Sequence, residues 1–274
     1  MANISTPFVP RARPQPAIRF AVIAIIAVSA VSAVLLLGRL FFGAEHIPDF
    51  GKISNSQEKK TAFFEYLAPR IAAANAPILE QREKLLKIRA QVAADGNPGW
   101  LDTRYLKKAL VRYEFEVPEK IELNHVDDLL TRADIIPPSL IIAQAANESA
   151  WGTSRFAKHG NNFFGMRTYT PGTGIVPKRR AAGATWEVVA YDSVIQGIGA
   201  YIQTLNTNKA YRQLRLIRRE QRRKHQTISG NALAGGLLRY SEKGHEYISV
   251  VRSMIRSNNL ATYDSKEGRT SGPG

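Results

Sequence analysis

The sequence predicts an α+β protein that is mainly α, with a small β-hairpin lobe, preceded by an N-terminal transmembrane helix. Three observations indicate this class. Apolar residues recur at helical spacing through much of residues 58–263, this periodicity disappears between residues 166 and 191, and residues 20–37 form an uncharged apolar run. With 274 residues, the chain is long enough for one or two domains and a sizeable core.

The charge balance and the lack of cysteine limit the possible functions. The chain has 38 Lys+Arg against 23 Asp+Glu, and the formal net charge of +15 suits an anionic partner such as nucleic acid, anionic lipid or the bacterial wall. With 0 Cys the chain forms no disulfide and no thiolate metal site, and its 5 His show no ligand spacing. The sequence therefore predicts no metal site and no cofactor.

The N-terminus predicts a membrane anchor. Residues 1–16 have the composition of a disordered cytoplasmic tail, and residues 17–42 contain the apolar run, which is long enough to span a bilayer. The length of the run favours an uncleaved anchor over a signal peptide. Arginines precede the run, and only Arg39 follows it closely, so the positive-inside rule leaves the N-terminus in the cytoplasm and the body outside.

The next part of the chain predicts a linker and a helical region. Residues 43–57 contain Pro and Gly with little periodicity, and they indicate a linker. Residues 58–134 form a helical N-terminal part, in which Trp100 is expected in the core rather than in a site. The predicted helices cover residues 61–67, 77–94, 100–113 and a charged segment within 116–132.

The stretch from Pro137 to Gly165 organises the rest of the chain. Pro137 and Pro138 mark a helix start, because proline is tolerated in the first helical turn, and Gly152 is expected to end this helix. The helix is apolar nearly all round and should be buried. A carboxylate near its end, Glu148, shares one stripe with Ile141, Gln144 and Ala145.

Two interpretations of Glu148 remain open on periodicity alone. In the first, the carboxyl lies partly desolvated at the floor of a cleft beside Trp151, with a raised pKa that lets it donate a proton near neutral pH. In the second, Glu148 turns outward past the last helical turn and pairs with a base such as Arg155 at the surface.

The same residues carry a family resemblance. Residues 138–154 (PSLIIAQAANESAWGTS) and 159–166 (HGNNFFGM) resemble the signature of the glycoside hydrolase family 73 glucosaminidases, the mannosyl-glycoprotein endo-beta-N-acetylglucosaminidase-like proteins. Residues 58–67 (EKKTAFFEYL) and 205–212 (LNTNKAYR) resemble its Bax-like branch. The resemblance implies a lysozyme-like helical lobe, a glucosaminidase domain over residues 135–263, and Glu148 as the general acid.

Residues after Glu148 are candidates for substrate binding. Asn161 and Asn162 either hold their own loop through bonds to backbone or bind sugar hydroxyl and acetamide groups. Phe163 and Phe164 offer an apolar platform, with one ring expected to be buried and one exposed. The segment 240–247 (YSEKGHEY) resembles a tyrosine-containing motif of the family near the cleft. On that basis Tyr240 and Tyr247 are candidate subsite residues, and packing with bonded hydroxyls is the alternative.

The β-lobe, about residues 166–191, raises the question of a second catalytic group. Residues 185–191 alternate as a strand does, and Glu187 is the nearest downstream carboxylate that can face Glu148. It is a candidate catalytic residue, with a solvated strand residue as the alternative. Asp192 is a second candidate, although it also suits a helix cap. Residues 169–177 lack the carboxylate that many relatives carry, and substrate-assisted chemistry would remove the need for one as nucleophile.

The last third of the chain predicts helices and a polar end. A helix with a turn near residue 206 covers residues 195–216, and a strongly basic run follows over residues 215–225. This run is either a solvated helix face or a contact with the anionic wall or phospholipid headgroups. Two further helices are expected, and residues 264–274 are expected to be a disordered tail.

Three functions remain. The favoured one is a peptidoglycan hydrolase, anchored in the bacterial inner membrane with its domain in the periplasm, that cleaves the β-1,4 bond after N-acetylglucosamine in glycan strands. A lytic transglycosylase and a non-catalytic wall-binding scaffold are the alternatives. Nucleic acid is not expected as a partner, because the predicted orientation places the body outside the membrane.

Overall fold

A computed structural model describes residues 46–181 and 183–267. Its secondary structure is mainly helical with one small antiparallel sheet, as the sequence predicts. Short 3-10 turns lie at Phe50–Lys52, Lys209–Tyr211 and Ala234–Gly236. The helices are α1 (Ser56–Asp95), α2 (Trp100–Arg112), α3 (Leu123–Arg132), α4 (Pro138–Ser149), α5 (Arg155–Gly160), α6 (Val194–Thr207), α7 (Arg212–Arg223), α8 (Gly230–Leu233), α9 (His245–Ser257) and α10 (Ala261–Glu267).

Helix α1 is continuous where the sequence predicts two helices. Asn55 caps its first turn, and Pro69 and Pro77 both lie inside it. A proline removes one helical hydrogen bond and strains the preceding turn. Both prolines are exposed, so the carbonyl groups that they leave unpaired lie on the solvent side of the helix. The predicted break between residues 67 and 77 is therefore wrong.

Two hydrophobic cores share α1. Its first half contributes Phe63, Leu67 and Ile71 to the main core, which α4, α6 and α9 complete. Its second half contributes Leu85 and Val92 to a smaller core with α2 and α3. The described residues from 47 onward cluster as one compact unit, so residues 58–134 are not a separate body.

A buried ionic cluster ties α1 to α7. The carboxylate of Asp134 is 2% exposed and accepts a bidentate pair of hydrogen bonds from Arg222, at 2.8 and 3.0 Å. Arg82 of α1 lies 3.4 Å from the same carboxylate. The guanidinium of Arg218, 1% exposed, donates to the carbonyl of Asp134 and to the side chain of Asn206. These bonds satisfy charges that would be costly to bury alone.

The β-lobe is a three-stranded antiparallel sheet in the order β1-β3-β2. Arg167 pairs with Val188, and Ile175 pairs with the same residue from the other side. The predicted small β-lobe is confirmed, with three strands in place of the two of the predicted hairpin. Its strands are β1 (Arg167–Thr168), β2 (Gly174–Ile175) and β3 (Glu187–Val189).

Several local predictions are wrong. The segment predicted as a linker contains Phe50, which is fully buried and packs edge-on against Phe63 at 5.3 Å. Trp100 is 74% exposed rather than part of the core, because it begins α2 on the solvent side. The charged segment becomes helical only at Leu123.

The predicted disordered tail begins too early. Asp264 lies in α10 and is 7% exposed, and it accepts hydrogen bonds from the backbone and hydroxyl groups of Ser139 and from the amide of Gly230. These bonds connect the end of the described chain to the start of α4. The rest of the predicted tail, residues 268–274, lies outside the described residues.

The predicted cytoplasmic tail, residues 1–16, and the predicted anchor, residues 17–42, also lie outside the described residues. Within the described ranges, no helix has an apolar stretch long enough to cross a bilayer.

Candidate active site

Helix α4 places Glu148 at the edge of the main core. Pro137 is the N-cap residue and Pro138 lies in the first turn, so the predicted helix start is confirmed. Every residue from Pro138 to Ala146 is buried, whereas Asn147 and Glu148 are exposed in the last turn. The expected partial desolvation of Glu148 is therefore wrong, because the apolar faces of α4 end one turn before it.

The chain turns sharply after Glu148. Helix α4 ends at Ser149, three residues before the predicted end at Gly152, and Ala150, Trp151 and Gly152 all have positive φ, of 51°, 60° and 74°. Non-glycine residues adopt this left-handed region at a cost in free energy. The amide of Gly152 donates to the hydroxyl of Ser149 at 2.7 Å, which fixes the turn.

A buried chain of hydrogen bonds leads to Glu148. The hydroxyl of Tyr247 donates to Oε1 of Glu148 at 2.8 Å, and Nε2 of Gln144 donates to the same hydroxyl oxygen at 2.9 Å. The hydroxyl of Tyr201 donates to Oε1 of Gln144. All three supporting side chains are buried, which makes each unpaired group costly and the arrangement well defined.

The direction of these bonds follows from the orientation of one amide. Since the oxygen of Gln144 accepts from Tyr201, its NH2 group faces Tyr247. The single proton of the Tyr247 hydroxyl is then available only to Glu148. Burial, followed by neighbouring charge and hydroxyl groups, raises the pKa of both tyrosines far above the usual range, so both remain protonated donors.

Two more tyrosines extend from this chain. The ring of Tyr240 stacks on that of Tyr247 at 5.2 Å, and the ring of Tyr211 lies 6.0 Å from that of Tyr240. Both residues are partly buried. The structure thus brings Tyr240 and Tyr247 together beside Glu148. Aromatic faces of this kind are suited to packing against the apolar faces of sugar rings.

Sequence reasoning missed Tyr201 and Tyr211 as site residues and placed Gln144 only on the stripe of Glu148. Signals for two of them were present. Tyr211 lies in the segment 205–212 that resembles the Bax-like branch, and Gln144 is a lone amide on an apolar helix face one turn before a carboxylate. Tyr201 sits in α6 without a comparable signal.

Trp151 belongs to the edge of the core. It is half-buried, and its ring packs on Phe63 at 5.6 Å and on Phe64 at 5.9 Å, while the ammonium of Lys60 lies 5.5 Å above it. Arg155 does not pair with Glu148; its guanidinium donates to the carbonyl of Val176 at 2.5 Å. The ion pair with Arg155 that the surface interpretation expects is therefore not formed, whereas the exposure of Glu148 that it expects is found.

Asn161 and Asn162 hold the loop between α5 and the β-lobe. The amide group of Asn161 donates to the carbonyl of Tyr191 at 2.7 Å. Asn162 is buried, and its side chain forms hydrogen bonds with the backbone of Phe164, Met166 and Val189. These bonds favour the loop-holding interpretation over contact with sugar.

Both phenylalanines after this loop are buried. Phe163 is fully buried in the main core, and Phe164 is 5% exposed and stacks on Tyr201 at 4.0 Å. The expectation that one ring is exposed is wrong, because the turn carries both rings inward. Phe164 instead packs against a member of the hydrogen-bond chain.

The carboxylate of Glu187 forms hydrogen bonds within the β-lobe. It is 7% exposed, and its two oxygens accept hydrogen bonds from the amides of Gly172 and Gly174, at 3.1 and 2.9 Å. The solvated interpretation is therefore wrong, and these bonds give Glu187 a structural role in the turn before β2. Asp192 is exposed, and Ser193 rather than Asp192 caps α6.

Among the described residues, no group of three or more His, Asp and Glu side chains is arranged to hold a metal ion.

Comparisons with known proteins cover the part of the chain that contains Glu148. A glucosaminidase family model, described as mannosyl-glycoprotein endo-beta-N-acetylglucosaminidase, matches residues 123–260. Protein bax of Escherichia coli (strain K12) is 32% identical over 215 residues, which cover 77% of this chain and 74% of that protein. The catalytic domain of the autolysin Auto from Listeria monocytogenes is 16% identical, with 78% of this chain and 92% of that chain covered and a TM-score of 0.40.

Proposed function

This chain belongs to the glucosaminidase family, and from that membership we propose that it is a peptidoglycan hydrolase that cleaves the β-1,4 glycosidic bond after N-acetylglucosamine. Glu148 is the general acid and glycan strands are the substrate. The observation that carries the proposal is the hydrogen bond from Tyr247, which fixes one carboxyl oxygen at the exposed end of a buried helix. A lysozyme-like arrangement of the helices is part of the same proposal.

The hydrogen bond assigns different tasks to the two carboxyl oxygens. Oε1 of Glu148 accepts the hydrogen bond from the hydroxyl of Tyr247, so the proton that Glu148 donates is carried on Oε2. That proton passes to the glycosidic oxygen as the bond to the anomeric carbon breaks. The carboxylate that remains then takes a proton from the water that completes hydrolysis.

The second group in this mechanism is the substrate's acetamide. Both oxygens of Glu187 are held by backbone amides, which leaves this carboxylate poorly suited to attack a sugar. The carbonyl oxygen of the acetamide instead attacks the anomeric carbon as the leaving oxygen receives the proton of Glu148. Water then opens the resulting oxazolinium ring at the same carbon, so the product retains its configuration.

Digestion of purified peptidoglycan by the full chain tests the activity. Wild type, Glu148→Gln and Glu119→Gln are compared, and the products are reduced and identified by mass spectrometry. Glu119 is an exposed carboxylate outside the site segments and provides a matched control. Products that end in reduced N-acetylglucosamine should appear with wild type and control and disappear with Glu148→Gln. Anhydro-muramyl ends would instead indicate the transglycosylase.

One observation favours the non-catalytic scaffold as a second candidate. Glu187 is the only carboxylate on β3 in the described β-lobe, and both of its oxygens accept hydrogen bonds from backbone amides of the turn. A scaffold retains wall binding in a sedimentation assay but releases no products, and Glu148→Gln leaves its binding unchanged. Turnover that depends on Glu148 rules the scaffold out.

The localisation is a further part of the proposal. The apolar run of residues 20–37 and the arginines before it support a single-pass inner-membrane anchor, with the folded body in the periplasm. Protease added to cells with a permeabilised outer membrane should then degrade the body. Protection of the body until the inner membrane is broken would contradict this orientation.

A further inference from the structure

A cavity of about 170 Å³ lies between α3 and α7 and is rich in arginine. Its lining includes four guanidinium groups and one carboxylate, that of Asp128. None of the lining residues belongs to the hydrogen-bond chain of Glu148. The arginines are Arg132, Arg212, Arg215 and Arg219.

The spacing of these residues explains why they converge. Arg212, Arg215 and Arg219 lie three and four positions apart on α7 and therefore share one face. Arg132 comes from the end of α3, and its guanidinium lies 3.8 Å from the centre of the Phe115 ring, which holds it in place.

The hydrogen bonds of the two inner arginines bring them no counter-charge, although the nearby carboxylates of Asp128 and Glu114 offset part of the charge of Arg132 without pairing with it. Nη1 of Arg215 donates to the carbonyls of Leu205 and Asn208, both at 2.9 Å, and Nη1 of Arg132 donates to the carbonyls of Tyr113 and Glu114. Backbone carbonyls are neutral. Within the described ranges, no ion pair joins any of the four arginines to a carboxylate.

This crowding of positive charge has an electrostatic cost. Burial, followed by the positive charges of Arg132 and Arg212, lowers the pKa of Arg215 to about 10, against a smaller opposing effect of Glu114. Arg212 and Arg219 are exposed, so an anion can reach them from solvent. An anion in the cavity would relieve the repulsion among the four groups.

We propose that this cavity binds a phosphate group. Guanidinium forks match the geometry of phosphate oxygens and bind them through charge-assisted pairs of hydrogen bonds. The cavity lining carries four positive charges and one negative charge. A phosphate monoester, with between one and two negative charges near neutral pH, balances this excess better than a carboxylate ligand with one negative charge. The apolar sides of Phe115 and Leu216 provide contact for the organic part of a phosphate ester.

Calorimetric titration of inorganic phosphate into the purified full chain, at constant ionic strength, tests the site. The variant is Arg212→Gln with Arg219→Gln, since both side chains are exposed and their replacement leaves the core intact. We expect the affinity for phosphate to fall by about tenfold or more, because two charge-assisted contacts are lost. Arg212→Lys keeps the charge but loses the fork, and it should give a smaller fall.

The matched control is Arg223→Gln with Lys224→Gln. It removes the same net charge at the end of α7, where both side chains pair with Glu220 at the surface rather than line the cavity. Phosphate affinity should stay within about twofold of wild type. Equal losses in both double variants would show diffuse charge attraction and overturn the proposal, as would no loss in the Arg212 and Arg219 variant.

A second titration identifies the source of the phosphate. Short-chain phosphatidic acid, used below its micelle concentration, competes with inorganic phosphate at the same site. Tighter binding of the lipid supports a headgroup ligand, and equal or weaker binding supports a free phosphate or a phosphorylated small molecule. Failure of the lipid and of inorganic phosphate to bind overturns the proposal without affecting the proposed hydrolase activity, which is measured separately.

Discussion

Gln144 and Glu148 lie one turn apart on α4 and bind the same hydroxyl group, that of Tyr247. The amide of Gln144 donates a hydrogen bond to the hydroxyl oxygen, and the carboxylate of Glu148 accepts a hydrogen bond from the same hydroxyl group. Gln144 thus orients Tyr247, and Tyr247, which lies 99 positions after Glu148 in the chain, fixes the rotamer of the carboxylate. Each part of this arrangement can be removed separately.

Tyr247→Phe should lower kcat by about tenfold to a hundredfold, because the carboxylate that forms as Glu148 gives up its proton loses a hydrogen bond worth about 1.5–3 kcal/mol. The ring remains, so the stack with Tyr240 is retained. Peptidoglycan turnover with each variant measures the effect. Tyr105→Phe, in the smaller core, is the control and should keep wild-type kcat. An unchanged kcat in Tyr247→Phe would show that the hydrogen bond does not position Glu148 for catalysis.

Tyr201→Phe and Gln144→Met should be strongly coupled. Tyr201→Phe leaves a buried amide oxygen without a donor and should cost about 1–3 kcal/mol of unfolding free energy. Once Gln144→Met has removed that oxygen, the same change at Tyr201 should cost less. Denaturant unfolding of both single variants and the double variant gives the coupling energy, expected at about 0.5–3 kcal/mol. Additive losses would contradict a shared network.

Glu187→Gln should affect stability more than catalysis. The new NH2 group faces a backbone amide that needs an acceptor, so the unfolding free energy should fall by about 1–3 kcal/mol. At a temperature where the variant is folded, kcat should stay within about tenfold of wild type. Thermal unfolding and turnover are measured on the same preparation. A stable but inactive variant would assign Glu187 to the chemistry.

Asp134 should make the protein sensitive to acid. Burial alone would raise the pKa of Asp134, but Arg82, Arg218 and Arg222 outweigh it and hold the pKa below 3.8. The stabilisation is therefore complete above the unfolded pKa near 3.8 and is lost as the pH falls through the lower folded value. Unfolding free energy measured between pH 7 and pH 2 should show this loss, and Asp134→Asn should reduce its size.

At neutral pH, Asp134→Asn should cost about 3–5 kcal/mol, because it leaves buried guanidinium groups without their counter-charge. The control is Asp127→Asn. Asp127 pairs with Arg89 at 2.5 Å, but both side chains are more than 40% exposed, so the loss should be under about 1 kcal/mol. Similar losses at both positions would contradict the role given to burial.

Local sequence signals predicted the elements that support the site. Two prolines mark the start of α4, and the alternation after residue 185 marks β3. Each of these depends on neighbours within a few residues, so the sequence alone contains the information. Glu148 was identified in the same way, from its place on an apolar helix and from a motif around it.

Contacts across the chain explain what the sequence did not predict. The pairing of Tyr247 with Glu148 and that of Tyr201 with Gln144 join residues far apart, and no local pattern encodes them. The continuity of α1 through Pro69 depends on which side of the helix faces solvent. The hydrogen bond from the amide of Gly172 to Glu187 depends on how the strands of the β-lobe pair with one another.

The sharing of α1 between two cores determines the smallest piece of this chain that can be expected to fold. The stretch matched by the family model, residues 123–260, lacks α1 entirely and would expose the surface on which Phe63, Leu67 and Ile71 pack. A piece that begins at Gly51 would still lack Phe50, which fills the space beside Gly152 at the turn after Glu148. A recombinant fragment intended for enzymology should therefore begin before Ile47 and keep α10.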